Sequence, residues 1–473
     1  MNELSIPLEA HGKQPLYEQI YTYIRNEIRE GKLLRDEKLP STRALAEHLQ
    51  VSRSTVDLAY DQLLSEGYLE SKPYKGYYVC PIEGLLSLQS SNDITAYDVV
   101  SNPPTEKKNY LYDFTTNGID REGFPFATWR RICKNTLLEH EDALFSMGDS
   151  GGEEVLRTVI AGYLHTSRGV NCSARQIVIG AGNDYLLLLL AKILGSDRTV
   201  AMEEATYTRA QRTFLSCGYH LITVPMDESG MCVEHLEDSE ADIAYVMPAH
   251  QYPMGIVMPI GRRTELLNWA SQSNCRYIIE DDYDSEFRYK GKPIPSLQAS
   301  DQDGSVIYIG TFSKSIAPAI RVSFMVLPQE LLKQYESTTD YLASTVSRTD
   351  QMMLAEFLRG GYYERHLNKM RKYYKTKHDL LLSCLKGLSA KFRISGENAG
   401  LHILLHYTGE KSEMELVEEA KKQGVRVYGL SETCDRQGGD LRISPILLLG
   451  YGGLSEQQIT EGTKKLLEAW NTL

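Results

Sequence analysis

The sequence predicts a multidomain α/β protein whose larger part is built on a mainly parallel β-sheet. With 473 residues, the chain is too long for one ordinary domain. From about residue 110 onward, short apolar runs rich in β-branched residues alternate with segments of helical length, which is typical of a parallel sheet covered on both faces. The first 80 residues instead carry closely spaced helix-start signals. Two domains of different architecture are therefore expected.

The composition restricts the function classes. Hydrophobic residues make up 42% of the chain and charged residues 24%, as in soluble globular proteins. There is no run of ~18 apolar residues and no signal-peptide pattern at the start, so we expect a cytoplasmic protein with no membrane partner. The eight cysteines form no Cys-x-x-Cys pair, so no metal site is expected.

The N-terminal segment predicts a helix followed by two further helices around a tight turn. Apolar residues recur every four positions over residues 16–30, which indicates an amphipathic helix. Ser41 and Ser52 stand at N-cap positions of the next two helices, and Gly67 closes the second of them. Such a pair is a helix-turn-helix, whose second helix enters the major groove of DNA.

A short hairpin over residues 68–79 predicts a wing after these helices. Residues 1–80 hold ten Lys/Arg and twelve Asp/Glu, a net charge of −2, which is a weak balance for a DNA-binding domain. A helical bundle that merely caps an enzyme is therefore the alternative interpretation. The basic residues nevertheless fall where DNA contacts are expected, at Arg43, Arg53, Lys72 and Lys75.

This N-terminal pattern closely resembles the winged helix-turn-helix of the GntR family of bacterial repressors. The resemblance covers most of residues 13–79, including the segment LPSTRALAEHLQVSRSTVDLAYDQLLSEGYLE. It implies a DNA-binding domain over residues 1–80, and the polar residues 81–110, with Pro and Ser and no periodicity, indicate a linker. The DNA contacts implied by the resemblance are Ser41, Arg43, Arg53, Ser54, Thr55, Lys75 and Gly76.

Two polar residues follow strands of the predicted sheet. Lys314 comes soon after the apolar run 306–309, and Asp281 ends the run that begins at Tyr277. The carboxyl ends of strands are where α/β sheets present their chemistry. A lysine amine can form a Schiff base with pyridoxal phosphate (PLP), and a carboxylate can hold the pyridine nitrogen protonated. Each residue alone also has a plain interpretation, as a surface lysine or a solvated acidic turn.

Neighbouring residues can complete such a site. The glycine turn over residues 180–183 opens a helix and offers backbone N–H groups to a phosphate. Tyr283 could reach the phenolic oxygen of PLP, and Tyr207 could stack on its ring. Thr311, Ser313 and Arg321 surround Lys314 in sequence and could form a phosphate clamp.

Residues 111–473 resemble the fold-type I aminotransferases, which are PLP-dependent and end in a small C-terminal α+β subdomain. Joined to a GntR-like N-terminus, this is the architecture of the MocR family, and the segments around Asp281 and Lys314 are similar to its GabR branch. The resemblance implies that Lys314 is the catalytic lysine and holds PLP. It also implies a homodimer, domain-swapped head-to-tail. The implied cofactor residues are Ala181, Gly182, Asn183, Tyr207, Tyr252, Asp281, Tyr283, Thr311, Ser313, Lys314 and Arg321.

The sequence departs from the aminotransferase pattern in two places. Tyr252 stands where those enzymes carry the Asn of an Asn-Pro-x-Gly turn. The arginine for the substrate carboxylate is not in its usual strand, so Arg442, just upstream of that strand, and Arg209 are the candidate effector contacts. These departures weaken the case for efficient transamination and leave cofactor binding intact.

The sequence therefore predicts a PLP-dependent transcriptional regulator whose aminotransferase-like domain binds PLP. The domain would sense either an amino acid similar to GABA or PLP itself, and double-stranded operator DNA would be the macromolecular partner. Two alternatives stay open. One is an active aminotransferase with an inherited N-terminal domain, and the other is a PLP sensor that controls vitamin B6 synthesis.

Overall fold

The computed structural model describes residues 6–9, 14–81, 110–139, 141–289, 291, 293–339, 341–432 and 445–470. The chain divides into two compact units, residues 1–107 and 108–473. The predicted linker lies almost entirely outside the described residues. Among the described helices, none has the length and hydrophobicity that would let it cross a membrane.

The first unit contains helices packed on a two-stranded hairpin. Its elements are α1 (Leu16–Arg29), α2 (Thr42–Leu49), α3 (Arg53–Ser65), β1 (Leu69–Lys72) and β2 (Gly76–Val79). The Ser41 hydroxyl accepts from the backbone N–H of Ala44, and the Ser52 hydroxyl accepts from that of Thr55, both at 3.2 Å. Both predicted N-caps are thus confirmed. The antiparallel pairing of β1 with β2 forms the predicted wing.

One apolar core fixes the angle between α2 and α3. The isoleucines of α1 bury one face of that helix, as the four-residue spacing predicts. Tyr60 of α3 is fully buried and donates its hydroxyl to the Pro40 carbonyl at 3.1 Å. Gln50 turns the chain between the helices with φ of 54°, and the N–H of Val51 donates to the Ala46 carbonyl at 3.0 Å. The N-terminal end of α3 is thereby left exposed.

The second unit is an α/β structure. Its helices are α4 (Phe126–Glu139), α5 (Glu141–Leu144), α6 (Glu154–Arg168), α7 (Asn183–Leu194), α8 (Thr208–Ser216), α9 (Val233–Glu237), α10 (Ile260–Ser271), α11 (Gln329–Thr338), α12 (Arg348–Arg359), α13 (Tyr362–Leu385), α14 (Glu413–Lys422) and α15 (Glu456–Trp470). Its strands are β3 (Tyr112–Asp113), β4 (Ile177–Gly180), β5 (Thr199–Glu203), β6 (His220–Val224), β7 (Met226–Asp227), β8 (Gly230–Met231), β9 (Ile243–Val246), β10 (Tyr277–Asp282), β11 (Val306–Thr311), β12 (Ser323–Val326), β13 (Phe392–Ser395), β14 (His402–Tyr407), β15 (Val425–Arg426), β16 (Tyr428–Gly429) and β17 (Ile446–Gly450).

The central sheet has the strand order β4-β12-β11-β10-β9-β5-β6. The neighbouring pairs from β11 to β6 are parallel, and β12 runs antiparallel to both of its neighbours. The prediction of a mainly parallel sheet is confirmed. The edge strand β6 was not predicted, because its residues are half polar and partly exposed. Two helices, α12 and α13, follow the sheet and are separated at Gly360–Gly361.

The predicted α+β subdomain follows α13 and contains the sheet β13-β14-β17-β16. The segment that enters the second unit from the linker, residues 112–118, lies directly on this subdomain. A Cβ on Gly450 would lie 2.1 Å from the Thr115 carbonyl oxygen, and one on Gly452 would lie 2.4 Å from that of Gly118. Only glycine allows this approach of backbone to backbone, which holds residues 115–118 beside the end of the central sheet.

Candidate functional site

A cavity of about 320 Å³ opens at the carboxyl ends of the central strands. Most of the predicted cofactor residues line it, although they come from segments far apart in the sequence. Those predicted cofactor residues are Asn183, Tyr207, Tyr252, Asp281, Tyr283, Thr311, Ser313, Lys314 and Arg321, and the predicted effector contact Arg209 lines the cavity as well. Residues that the sequence did not indicate also line the wall, among them Thr116, Asn117, Asp184, Asp284 and His402.

Lys314 lies just beyond β11, and its amine reaches the segment that enters from the linker. The Nζ atom donates to the Thr116 carbonyl at 2.8 Å and is 3.3 Å from the Asn117 side-chain oxygen. Burial lowers the pKa of this amine to about 8. The neutral, nucleophilic form of the amine is therefore more populated near neutral pH than for an exposed lysine.

Asp281 lies within β10 at the opposite wall and is only 4% exposed. Its carboxylate accepts from the Tyr245 hydroxyl and, at 3.2 Å, from the side-chain amide of Asn183. Burial raises the pKa of Asp281 to about 7. The Asn183 side-chain oxygen is buried and has no hydrogen-bond partner among the described residues. A cationic N–H placed here would favour the ionised carboxylate.

Arg321 and Arg209 supply positive charge at the start of α7. Arg321 donates through Nη2 to the Ala181 carbonyl at 3.1 Å and to the Asp184 carboxylate at 3.3 Å. Arg209 lies 3.7 Å from the same carboxylate oxygen of Asp184. A Cβ on Gly182, whose φ is +91°, would lie 2.2 Å from Arg321 Nη2, so glycine is required for the guanidinium to lie against this turn.

The backbone N–H groups of this turn are less available than the sequence predicted. The N–H of Ala181 donates to the Thr345 hydroxyl at 3.1 Å, and the N–H of Gly182 donates to the Gly180 carbonyl at 2.8 Å. A phosphate would therefore have to replace these acceptors, and the role of the two residues stays a prediction. The hydroxyl of Thr311, at the end of β11, accepts from the N–H of Ser313 at 3.1 Å.

Aromatic and imidazole rings form the remaining wall. The Tyr252 hydroxyl is 3.3 Å from that of Thr116, and the rings of Tyr207 and Tyr252 meet edge to face with centroids 6.5 Å apart. The Tyr283 hydroxyl contacts Nδ1 of His250 at 3.0 Å. His250 was not identified in the sequence, where it is a single histidine four residues beyond a strand.

The predicted DNA contacts all belong to the first unit. Arg43, Arg53 and Ser54 are exposed, and Arg53 forms an ion pair with Asp57 at 3.5 Å. The hydroxyls of Thr55 and Ser52 are 2.7 Å apart, so Thr55 is partly engaged in the helix cap. Lys75 and Gly76 follow the exposed tip of the wing. The candidate effector residue Arg442 lies outside the described residues.

Comparisons with known proteins agree with this division. Residues 16–79 match the family of bacterial regulatory proteins of the gntR type, and residues 118–447 match aminotransferase class I and II. The chain is 40% identical to the uncharacterized HTH-type transcriptional regulator YdeL of Bacillus subtilis, over 96% of this chain and 97% of YdeL. It is 32% identical to the probable rhizopine catabolism regulatory protein MocR of Rhizobium meliloti, over 98% and 96%. It is 29% identical to the pyridoxine biosynthesis transcriptional regulator PdxR of Corynebacterium glutamicum, over 97% and 96%.

The second unit is also similar to solved enzymes. A kynurenine aminotransferase of Pyrococcus horikoshii, solved in complex with PMP, superposes with a TM-score of 0.68 at 26% identity, over 77% of this chain and 91% of the enzyme. Aminotransferases of this class generally depend on PLP. The residues of the cavity fit that group in their chemistry. The amine of Lys314 suits the aldehyde of PLP, the buried Asp281 carboxylate suits its ring nitrogen, and the guanidinium of Arg321 suits its phosphate.

The raised pKa of Asp281 predicts a pH effect on stability in the protein without cofactor. Because burial raises this pKa from 3.8 to about 7, the folded chain binds more protons than the unfolded chain in that window. The contribution of the Asp281 carboxyl to the free energy of unfolding is therefore lost as pH rises from about 4 to 7. Asp281→Asn should show a smaller fall in melting temperature over this range. Parallel curves for variant and parent would contradict this assignment.

Proposed function

This chain belongs to the HTH-type transcriptional regulators of the MocR type, which join a gntR-family domain to an aminotransferase class I and II domain, and we propose that it binds operator DNA and PLP together. The observation that supports this best is the cavity that brings the Lys314 amine, the Asp281 carboxylate and two arginines together, in a chain that also carries a winged helix-turn-helix. It works in the cytoplasm, beside its DNA, as a homodimer whose two-fold symmetry matches two DNA half-sites.

In this proposal, different residues of the cavity would bind different parts of PLP. When bound, PLP supplies an aldehyde that reacts with amines and a ring that accepts electrons. Lys314 would offer its amine to the aldehyde, and the carboxylate of Asp281 would hold the ring nitrogen protonated. Tyr245 and Asn183 hold that carboxylate in place. Arg321 and the hydroxyls of Thr311 and Ser313, which line the same cavity, would supply charge and hydrogen bonds to the phosphate.

The effector in this proposal is an amino acid with a free carboxylate, for which Arg209 is the described contact. Its side chain is 67% exposed at the rim of the cavity, and its ion pair with Asp184 is long, at 3.7 Å. A carboxylate that offered two short hydrogen bonds would replace this weak pair. Arg442 remains the second candidate from the sequence.

A route from the site toward the DNA-binding unit starts at the Lys314 amine. This amine contacts Thr116 and Asn117, and the chain leads from there through residue 110 into the linker. If the amine changes partners, Thr116 and Asn117 lose a donor and the packing of residues 112–118 on the C-terminal subdomain can change. The effector then alters DNA affinity by its differential affinity for the two arrangements, typically ~1–3 kcal/mol.

The similarity to PdxR favours a second candidate, in which PLP itself is the signal. The same residues would bind PLP, and Lys314 would release Thr116 when the cofactor binds. The experiment that separates the candidates is footprinting of the full-length protein on the DNA upstream of its own gene. An amino-acid sensor changes its footprint only when PLP and a suitable amino acid are both present, whereas a PLP sensor responds to PLP alone. Steady turnover of amino and keto acids with no effect on the footprint would favour an enzyme.

Substitutions in the first unit should weaken DNA binding without affecting PLP. Arg53→Ala should lose about 1–3 kcal/mol of specific binding, roughly 5- to 150-fold, if the guanidinium contacts a base. Lys75→Ala should weaken binding to every sequence and reduce the salt dependence. Fluorescence anisotropy with the footprinted fragment and a scrambled duplex measures both. Lys333→Ala, at an exposed position of α11 in the second unit, is the control. If both variants bind DNA as tightly as the parent protein, Arg53 and Lys75 do not contact the DNA.

A further inference from the structure

We propose that His250 and Asp284 form a positioning pair that directs the hydroxyl proton of Tyr283 into the cofactor cavity. This inference rests on the proposed function, since it concerns how the chain holds PLP. It assigns a role to two residues that the family resemblance leaves without one. It also explains how Tyr283 can serve as the donor to the phenolic oxygen of PLP although the usual asparagine is absent.

The three side chains form one hydrogen-bonded group. His250 Nδ1 lies 2.9 and 3.0 Å from the two carboxylate oxygens of Asp284, and 3.0 Å from the Tyr283 hydroxyl. The rings of His250 and Tyr283 are nearly parallel, at 27°. His250 and Asp284 are each 3% exposed, so bulk water does not compete for these contacts.

The chemistry of the pair fixes which atom carries the hydrogen. An ionised carboxylate can only accept hydrogen bonds. Both oxygens of the Asp284 carboxylate face Nδ1 of His250. Nδ1 must therefore carry a hydrogen, whether the imidazole is neutral or protonated. The Tyr283 oxygen, which faces the same N–H, can only accept from it. The hydrogen of the Tyr283 hydroxyl then points elsewhere, and the cavity that Tyr283 lines is where an acceptor would be bound.

Glycine packing holds the pair in this geometry. A Cβ on Gly400, whose φ is +76°, would lie 2.1 Å from His250 Cε1 and 2.9 Å from an Asp284 carboxylate oxygen. The N–H of Gly400 donates to the Phe287 carbonyl at 2.8 Å, which fixes this glycine against the ring. Glycine at position 400 is therefore required for the imidazole and the carboxylate to lie this close to the backbone.

The pair matters because Tyr252 stands where aminotransferases carry an asparagine. The Tyr252 hydroxyl is held beside Thr116 at 3.3 Å. Tyr283 is then the described side chain placed to donate to the phenolic oxygen of PLP. A donor there withdraws negative charge from that oxygen, which makes the nitrogen joining Lys314 to PLP less basic. His250 contacts the Tyr283 hydroxyl and does not line the cavity, while Asp284, which does line it, contacts His250. The pair therefore acts through the orientation of the Tyr283 hydroxyl.

The test follows the visible absorbance band of the PLP-loaded, full-length protein against pH. Asp284→Leu keeps the branched shape of the side chain and removes the acceptor, so Nδ1 becomes free to accept from Tyr283. His250→Phe removes the Nδ1 hydrogen that the Tyr283 oxygen accepts, so the direction of the hydroxyl proton is no longer fixed. Both variants should move the midpoint of the band upward by about one pH unit, the scale of one charge-assisted hydrogen bond. Tyr283→Phe should do the same, and adding it to Asp284→Leu should cause no further shift.

The direction of the shift separates this role from simpler ones. If Asp284 acted only through its negative charge, its removal would lower the midpoint. A downward shift, an unchanged midpoint, or additive shifts in the double variant would each overturn the proposal. Asp379→Leu is the matched control, because Asp379 pairs with His378 Nδ1 at 2.9 Å outside the cavity, and it should leave the midpoint unchanged. A parent protein without any band would overturn the proposed function and this inference with it.

Discussion

Lys314→Ala is expected to abolish the covalent attachment of PLP and the visible absorbance that this attachment gives. Among the described lysines, Lys314 alone lines the cavity, which makes its amine the expected point of attachment. The lost contacts to Thr116 and Asn117 are two hydrogen bonds at a half-buried position, so the variant should still fold. Intact-mass spectrometry after borohydride reduction measures the adduct, which the parent keeps and the variant loses.

The same variant also tests the coupling between site and DNA. If the route through Thr116 and Asn117 carries the signal, Lys314→Ala should bind the footprinted fragment yet show no response to PLP or an amino acid. Lys333→Ala, an exposed lysine, should keep both the adduct and the response. A borohydride-stable adduct of unchanged yield in Lys314→Ala would move the attachment to another lysine and reject the assignment.

The fold was largely predictable because its central strands are short and apolar. β4, β9, β10 and β11 are buried along their whole length, which gives each an uninterrupted apolar signal before its polar end. β6 gave no such signal, since an edge strand keeps one side toward solvent. The direction of β12 could not be predicted either, because an apolar run of this length reads the same in parallel and antiparallel pairs.

The site was only partly predictable. Asp281, Lys314 and Arg321 stand close to strand ends in patterns with a chemical meaning, so the sequence indicated them. Tyr245 lies inside a strand and gives no sign that its hydroxyl meets Asp281. Thr116 and Asn117 come from a segment almost two hundred positions away from Lys314, and only the fold brings them together. Partners that depend on tertiary packing leave no local pattern in the chain.

β10 also shows what the acidic sequence around Asp281 requires from the rest of the fold. Glu280, Asp281 and Asp282 are all buried, and burial raises the pKa of the first two to about 7. Glu280 is satisfied by the backbone N–H groups of Leu297 and Gln298, at 2.8 and 2.9 Å. Asp282 instead depends on a cation, Arg168 at the end of α6, whose Nε donates to it at 2.8 Å.

Arg168→Leu should therefore destabilise the second unit strongly. Arg168 and Asp282 are both nearly inaccessible, with side-chain exposures of 4% and 2%. Removing one partner leaves a buried charge that keeps only the Tyr308 hydroxyl, at 2.6 Å, and such a break typically costs about 3–5 kcal/mol. The three tryptophans, Trp129, Trp269 and Trp470, all lie in the second unit, so their fluorescence during urea unfolding follows this unit.

Two comparisons show whether the lost charge pair is the cause. Arg175→Leu removes the exposed partner of Glu336 and should change the unfolding midpoint little, because water screens that pair. Adding Asp282→Asn to Arg168→Leu removes the uncompensated carboxylate and should restore much of the lost stability, since a neutral amide is far less costly to bury. If the double variant is no more stable than Arg168→Leu, the loss comes from packing of the arginine stem and its bond to the Ile294 carbonyl instead.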